Sequence, residues 1–353
     1  MNQILKEYKD SKHKFENFGS KMIDLLSILL KDNNLNYHQI TSRIKTEDSL
    51  SKKIESKNGK YSIILDITDI VGIRIITYFE DEVDKVAEII SKEFHVDKKN
   101  SVDKRISAID KFGYQSLHYI VKCLPERTSL TEWKKFEGLP CEIQIRSILQ
   151  HAWAEIEHDI GYKGASTIPQ QEKRNFFRIA ALLETADKEF VRLRSNLLEY
   201  ELEVPKLIKE SPQDVLLDKA SLTSYIQNSS LLKEIENSIA KAINIKITKS
   251  SENLVSLIDK LEYVQIQTIK DLEENLLSKK DFVIFLATEW LGKNRYDEIM
   301  SGISIFYLAY TKVVDGENLE MIKQYFETFQ LGIDSNRDAS RLLESYKRYK
   351  NSQ

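Results

Sequence analysis

The sequence predicts an α+β module over residues 1–204, followed by an all-helical extension over 205–353. Three observations carry that expectation. Segments rich in β-branched and aromatic residues fall only between Tyr61 and Ile145. Beyond Ser147 the apolar spacing is helical in almost every segment. Glycine takes 11 of 353 positions, less than half its usual share, as suits a helix-rich chain with few tight turns.

The elements follow in chain order. Phe18, Met22, Leu25, Leu26, Leu29 and Leu30 keep helical spacing, so Phe15–Leu30 is expected to be a helix. Strands are expected at Tyr61–Leu65, Gly72–Phe79, Glu93–Val96, Ser116–Leu124 and Cys141–Ile145. Between the second and third, Glu82–Lys92 places Val83, Val86, Ala87 and Ile90 on one face and reads as a crossover helix. A long helix is expected over Arg174–Glu201, then helical stretches near Leu231–Ile243, Leu254–Leu277, Asp281–Trp290, Tyr296–Lys312, Leu319–Phe329 and Arg337–Tyr349. Pro205 and Pro212 make Glu203–Asp214 the expected hinge. The extension carries apolar faces, such as Leu254, Ile258 and Leu261, and aromatics from Trp290 to Phe329. It is therefore expected to fold, and either to pack on the first module or to make the chain a homo-oligomer.

Composition excludes several classes. With 52 basic and 55 acidic residues the formal charge is −3, which argues against a mainly electrostatic nucleic-acid binder. A hydrophobic share of 41% excludes global disorder. Met1–Lys14 is polar, without the apolar core of a signal peptide. No apolar run approaches the roughly 18 residues of a membrane span. Cys123 and Cys141 sit in or beside apolar runs and are expected to be reduced core residues. A cytoplasmic protein with no membrane partner is the expectation.

Four stretches carry chemistry. In Pro140-Cys-Glu-Ile-Gln-Ile-Arg146, strand alternation puts Glu142, Gln144 and Arg146 on one face, a polar row costly to bury without partners. In Gly113–Val121 the same alternation aligns Tyr114, Ser116 and His118. The tyrosine offers a ring to a base, and the other two can meet hydroxyls or phosphates. In Asp66–Arg74, Asp69 leads into an apolar strand and Gly72 permits close approach of backbone or ligand. Asp69 and Glu142, as hard carboxylates, suit Mg²⁺, which keeps sites for water and substrate phosphates. In Ser42–Ile54, a helix starting near Lys45 would align Lys45, Ser49 and Lys53 as a ridge for polyphosphate, with Arg43 free to stack on a purine. His151 and His158 lack a third ligand and are expected to pack against the sheet rather than hold metal.

In this order the stretches resemble the synthetase domain of the RelA/SpoT family, of the small stand-alone type without a hydrolase domain. The resemblance covers residues 40–165 and rests on Arg43-x-Lys45-x-x-x-Ser49, Asp69-x-x-Gly72-x-Arg74, Gly113-Tyr114-x-Ser116-Leu117-His118, Glu142-Ile143-Gln144-Ile145-Arg146 and the trailing Trp153-to-Lys163 segment. It implies a nucleotidyltransferase-like mixed sheet flanked by helices. It also implies a GTP diphosphokinase, transferring the β,γ-pyrophosphate of ATP to the ribose 3′-hydroxyl of GDP or GTP. Asp69 and Glu142 would hold Mg²⁺, and Glu142 would take the hydroxyl proton. Arg43, Lys45, Ser49, Lys53 and Arg74 would bind ATP, while Tyr114, Ser116, His118, Gln144, Arg146 and Lys163 would serve the acceptor.

Two departures stand out. Only about 40 residues precede the first motif, so no hydrolase activity is expected, and Asp110-Lys111-Phe112 stands where the family often has Lys-Pro-Asn. Two alternatives keep their place. A toxin-type relative would modify the tRNA 3′ end or adenine nucleotides, and Lys98, Lys99, Lys104, Arg105 and Lys111 could meet an RNA backbone. A non-catalytic nucleotide sensor would have no physical need of both Asp69 and Glu142.

Overall fold

A computed structural model of the chain describes residues 2–57, 59–103, 116–162, 169–248, 254–292 and 298–353. It divides into two compact units, residues 1–195 and 196–353.

The first unit begins with a long amphipathic helix, α1 (Asn2–Asp32), whose Phe18, Met22, Leu26 and Leu30 are fully buried. It continues through β1 (Gln39–Ile44), α2 (Glu47–Ser56), β2 (Val71–Thr77), α3 (Asp81–Glu93), β3 (Phe94–Val96), β4 (Val102–Asp103) and β5 (Leu117–Cys123). Two one-turn helices, α4 (Pro125–Thr128) and α5 (Thr131–Lys134), lead to β6 (Cys141–Ser147) and α6 (Ile148–Tyr162). The 41-residue helix α7 (Gln170–Glu210) runs on into the second unit.

The sheet order is β1-β2-β6-β5-β3, with β4 also on β5; β2 and β6 are parallel and every other pair is antiparallel. This is the mixed sheet expected. The side chains of Val71, Ile73, Ile75, Cys141, Ile143 and Ile145 are almost fully buried on one face, which α1 and α3 cover. Val83, Val86 and Ile90 of α3 supply the other side of that core, as their spacing required. Strand alternation then turns the polar residues of β1, β2 and β6 to the opposite face. Cys141 is buried, Cys123 is half-buried, and both are free thiols.

Several expectations are corrected. Tyr61–Leu65 is not a strand: Ile64–Asp66 forms a 3₁₀ turn, and the Asp66 carboxylate accepts from the amides of Ser62 (2.7 Å) and Ile63 (3.1 Å). That local bond competes with any sheet ladder. Gln39–Ile44 is a strand that the charged stretch concealed. The helix after it starts at Glu47, not Lys45, because Thr46 caps it by accepting from the Ser49 amide. Pro205 does not break the chain within the stretch expected as a hinge: α7 continues through it to Glu210, and a turn follows at Pro212–Asp214.

The second unit contains α8 (Lys219–Asn228), α9 (Ser230–Ile243), β7 (Lys246–Thr248), α10 (Leu254–Tyr263), α11 (Ile269–Ser278), α12 (Lys280–Gly292), β8 (Glu298–Met300), α13 (Ile303–Val314), α14 (Leu319–Thr328) and α15 (Ser335–Asn351). Among the described residues it is helical apart from β7 and β8, a short parallel pair, and an isolated bridge between Leu216 and Thr268. The single stretch expected over Leu254–Leu277 is two helices, broken where Gln265 takes a positive φ and Thr268 caps α11. The helix expected from Tyr296 starts at Ile303. The apolar faces of this unit bury one another: Leu261, Leu272, Leu286, Leu308, Tyr325 and Phe326 share one core. Its aromatic centre joins Tyr310 to Phe326 at 5.2 Å and Tyr325 to Phe329 at 5.0 Å.

Candidate active site

Register places the polar side chains. Arg43 pairs with Gly72, and Gly72 lies beside Glu142; one row along, Thr41 pairs with Arg74, Arg74 with Gln144, and Gln144 with His118. Two rows across four strands therefore carry an arginine, a carboxylate, a second arginine, an amide and an imidazole on one face. A cleft of about 450 Å³ opens over them, lined by Thr41, Arg43, Lys45, Ser49, Asp69, Gly72, Ile73, Arg74, Glu142, Gln144 and Glu155. A Cβ on Gly72 would meet only the Arg43 carbonyl oxygen, at an ordinary 3.6 Å, so the backbone does not demand glycine there. What glycine leaves is open floor between Arg43 and Glu142.

Cations gather at one end. The Lys45 and Lys53 ammoniums both reach Asp69 Oδ2, at 3.0 and 2.7 Å. Ser49 and Lys53 approach from α2, whereas Lys45 approaches from the end of β1, so the three do not form the helical ridge expected. Burial works against charge on Asp69, but the Lys53 and Lys45 contacts overcome it and hold the carboxyl below its usual range. Its other oxygen, Oδ1, is buried with no hydrogen-bond partner among the described residues.

A hydrogen-bonded chain occupies the other end. His118 Nδ1 lies 3.0 Å from Glu142 Oε1, Gln144 Nε2 donates to Glu142 Oε2 (2.9 Å), and Arg146 Nη2 donates to Gln144 Oε1 (2.8 Å). Glu142 is also opposed by burial, yet the His118 and Gln144 bonds keep it below the ordinary carboxylate range, while nearby Asp69 pulls upward. Burial, then repulsion from Arg74, pushes the Arg146 guanidinium down to about 10. Arg74 itself pairs with Glu155 of α6 at 2.9 Å.

Of the residues singled out in the sequence, Arg43, Lys45, Ser49, Asp69, Arg74, Glu142 and Gln144 line the cleft, and Lys53, His118 and Arg146 are bonded to its walls. Ser116 is fully buried at the foot of β5. Tyr114 and Lys163 lie outside the described residues, as do Lys104, Arg105 and Lys111. His151 leans toward Glu155 at 3.7 Å, and His158 is exposed rather than packed on the sheet. Glu155, which the motifs leave without a role, also lines the cleft; its i, i+4 spacing from His151 is the sequence signal for a cleft-facing side of α6.

Among the described residues no group of three or more His, Cys, Asp or Glu could cage a metal ion. A hard divalent cation that shares its coordination with water and phosphate needs only one or two carboxylates. The orphaned Asp69 Oδ1 and the neighbouring Glu142 fit that requirement.

Comparison with known proteins agrees in extent with the site. A family profile described as "Region found in RelA / SpoT proteins" matches residues 42–167. GTP pyrophosphokinase YjbM of Bacillus subtilis (strain 168) is 30% identical over 178 residues, spanning 49% of this chain and 80% of that protein. GTP pyrophosphokinase YwaC of the same organism is 28% identical over 160 residues, 44% of this chain and 73% of that protein. The crystal structure of small alarmone synthetase 2 from Bacillus subtilis aligns with 54% of this chain and 99% of that one, at 25% identity and a TM-score of 0.46.

Proposed function

The chain belongs to the RelA/SpoT family, and from that premise we propose that it makes guanosine tetraphosphate and pentaphosphate by transferring pyrophosphate from ATP to GDP or GTP. The observation that carries this reading is one cleft with two differently equipped ends: a cationic end at Lys45 and Lys53, and a bonded carboxylate at Glu142.

The acceptor 3′-hydroxyl attacks the β-phosphorus of ATP, the bond between that phosphorus and the α,β-bridging oxygen breaks, and AMP leaves. Glu142 accepts the hydroxyl proton. His118 and Gln144 keep it ionised and hold both its oxygens in place. Lys45, Lys53, Ser49 and Arg74 bind the donor phosphates, and Arg43 stacks on adenine. Tyr114 stacks on guanine, with Ser116, His118, Gln144, Arg146 and Lys163 supporting the acceptor. Asp69 and Glu142 would hold Mg²⁺, which when bound offsets charge developing on the phosphoryl oxygens. The two lysines neutralise Asp69, and a triphosphate offers them a more strongly charged anion to face.

The described residues lining the cleft lie between positions 41 and 155, which supports a catalytic unit in residues 1–204 and a separate functional unit in the helical remainder. Self-association is part of the same proposal, because Ile179, Leu182, Phe190 and Leu193 of α7 are each half exposed or more. Free thiols and the absence, among the described residues, of a helix able to cross a membrane suit a cytoplasmic enzyme.

The test is to supply labelled ATP and Mg²⁺ with GDP, GTP, ADP or deacylated tRNA separately. Label is expected in guanine nucleotides alone. Label confined to tRNA would select the toxin alternative, and no transfer at all would select the sensor.

A further inference from the structure

The donor-phosphate cations stand on a corner of the chain that α1 holds from behind. Lys45 is the residue between β1 and the cap of α2, and its backbone is gripped on both sides. Its amide donates to the Ile70 carbonyl (2.9 Å), and its carbonyl accepts a 2.6 Å bond from the hydroxyl of Tyr8. Tyr8 is 3% exposed, and its ring stacks on Phe15 one face further along α1. A second contact fixes the same helix against the same strand. A Cβ added to Gly19 would lie 3.2 Å from Ser42 Oγ and 3.3 Å from Ser42 Cβ, so α1 lies against β1 closely enough that a methyl there would press on Ser42. The nearby Lys9–Glu47 ion pair is exposed and adds little.

We infer that Tyr8 is a positioning residue for the ATP site, acting through the Lys45 carbonyl, with Gly19 setting the distance at which it acts. Tyr8 and Gly19 lie outside the family match of residues 42–167. The physical chain is short. The Tyr8 bond orients the Lys45–Thr46 peptide, Thr46 caps α2, and α2 carries Ser49 and Lys53. One hydroxyl therefore sets where two ammoniums converge. Loss of that hydroxyl leaves a part-buried carbonyl short of a donor and frees the corner to shift. The inference rests on the proposed donor role of this cluster.

The experiment compares wild type, Tyr8→Phe, Gly19→Ala and Leu30→Ala, the last a change in the fully buried core at the far end of α1 from Tyr8. Steady-state constants for ATP and for the guanine nucleotide are measured, together with Tm and binding of a non-hydrolysable ATP analogue. Tyr8→Phe is expected to raise the ATP KM and analogue Kd about tenfold, with kcat and acceptor KM near wild type; Gly19→Ala moves the same way. Leu30→Ala should lower Tm without moving the ATP KM. Unchanged ATP constants in Tyr8→Phe, or equal increases in both KM values, would overturn the inference while wild-type transfer leaves the proposed function standing. A wild-type chain that binds no ATP analogue would overturn both.

Discussion

Glu142→Gln is expected to cut transfer by a factor on the order of 10²–10⁴, the usual weight of a positioned general base, with the fold retained. Gln keeps the shape of the side chain and removes its charge and basicity. The amide oxygen can still accept from one of the two donors that now hold the carboxylate, His118 or Gln144. Relief of a buried charge offsets part of the lost bond, so Tm should move little. The pH dependence follows from the direction of the shift. Glu142 titrates below its ordinary 4.5 in the folded chain, so its contribution to stability is present above that pH and is lost only as pH falls through the lowered value. The acid limb of the rate profile is accordingly not expected near neutrality from this group. Initial rates at saturating ATP and acceptor, with a melting curve alongside, check both statements.

Asp69→Asn is expected to cost transfer on the order of 10³-fold, since a metal's charge stabilisation is worth several kcal/mol and each 1.4 kcal/mol is tenfold. Its second effect runs the other way. Asp69 Oδ2 engages both Lys45 and Lys53, and removing its charge releases two ammoniums toward the donor phosphates. Binding of an ATP analogue in the presence of a chelator should therefore be retained or tightened while transfer collapses. A variant that kept most of its turnover at saturating Mg²⁺ would show that Asp69 is not a ligand of the ion. Weaker metal-free binding would show that the two lysines depend on Asp69 for their placement.

The legible part of this chain was the part with uninterrupted alternation. From Cys141 to Arg146 the inward residues of β6 are apolar and the outward ones polar, so alternation alone puts Glu142, Gln144 and Arg146 on one face, and they form a bonded chain there. In β1 the alternation is present too, but Ser42 sits on the inner face beside Gly19, and a small polar residue at a tight contact hides the pattern. The start of α2 was set by one side chain, Thr46, which a count of charges cannot weigh. Asp66 turned an apolar run into a 3₁₀ turn by bonding its own backbone. The convergence of Lys45 and Lys53 on Asp69, and the reach of Tyr8 across 37 positions to Lys45, are tertiary facts. No local spacing encodes them. In the second unit, Pro205 marks the expected hinge over Glu203–Asp214, yet α7 carries the helix past it although proline lacks an amide hydrogen.

The most direct measurement follows the β- and γ-phosphates of ATP, labelled distinguishably, into product in the presence of Mg²⁺ and GDP or GTP. Pyrophosphoryl transfer predicts both labels together on the guanosine 3′-oxygen, with one AMP released per product, and the same product made on the order of 10²–10⁴-fold more slowly by the Glu142→Gln chain. Transfer of the γ-label alone, with ADP as the by-product, would contradict the reaction assigned to this cleft.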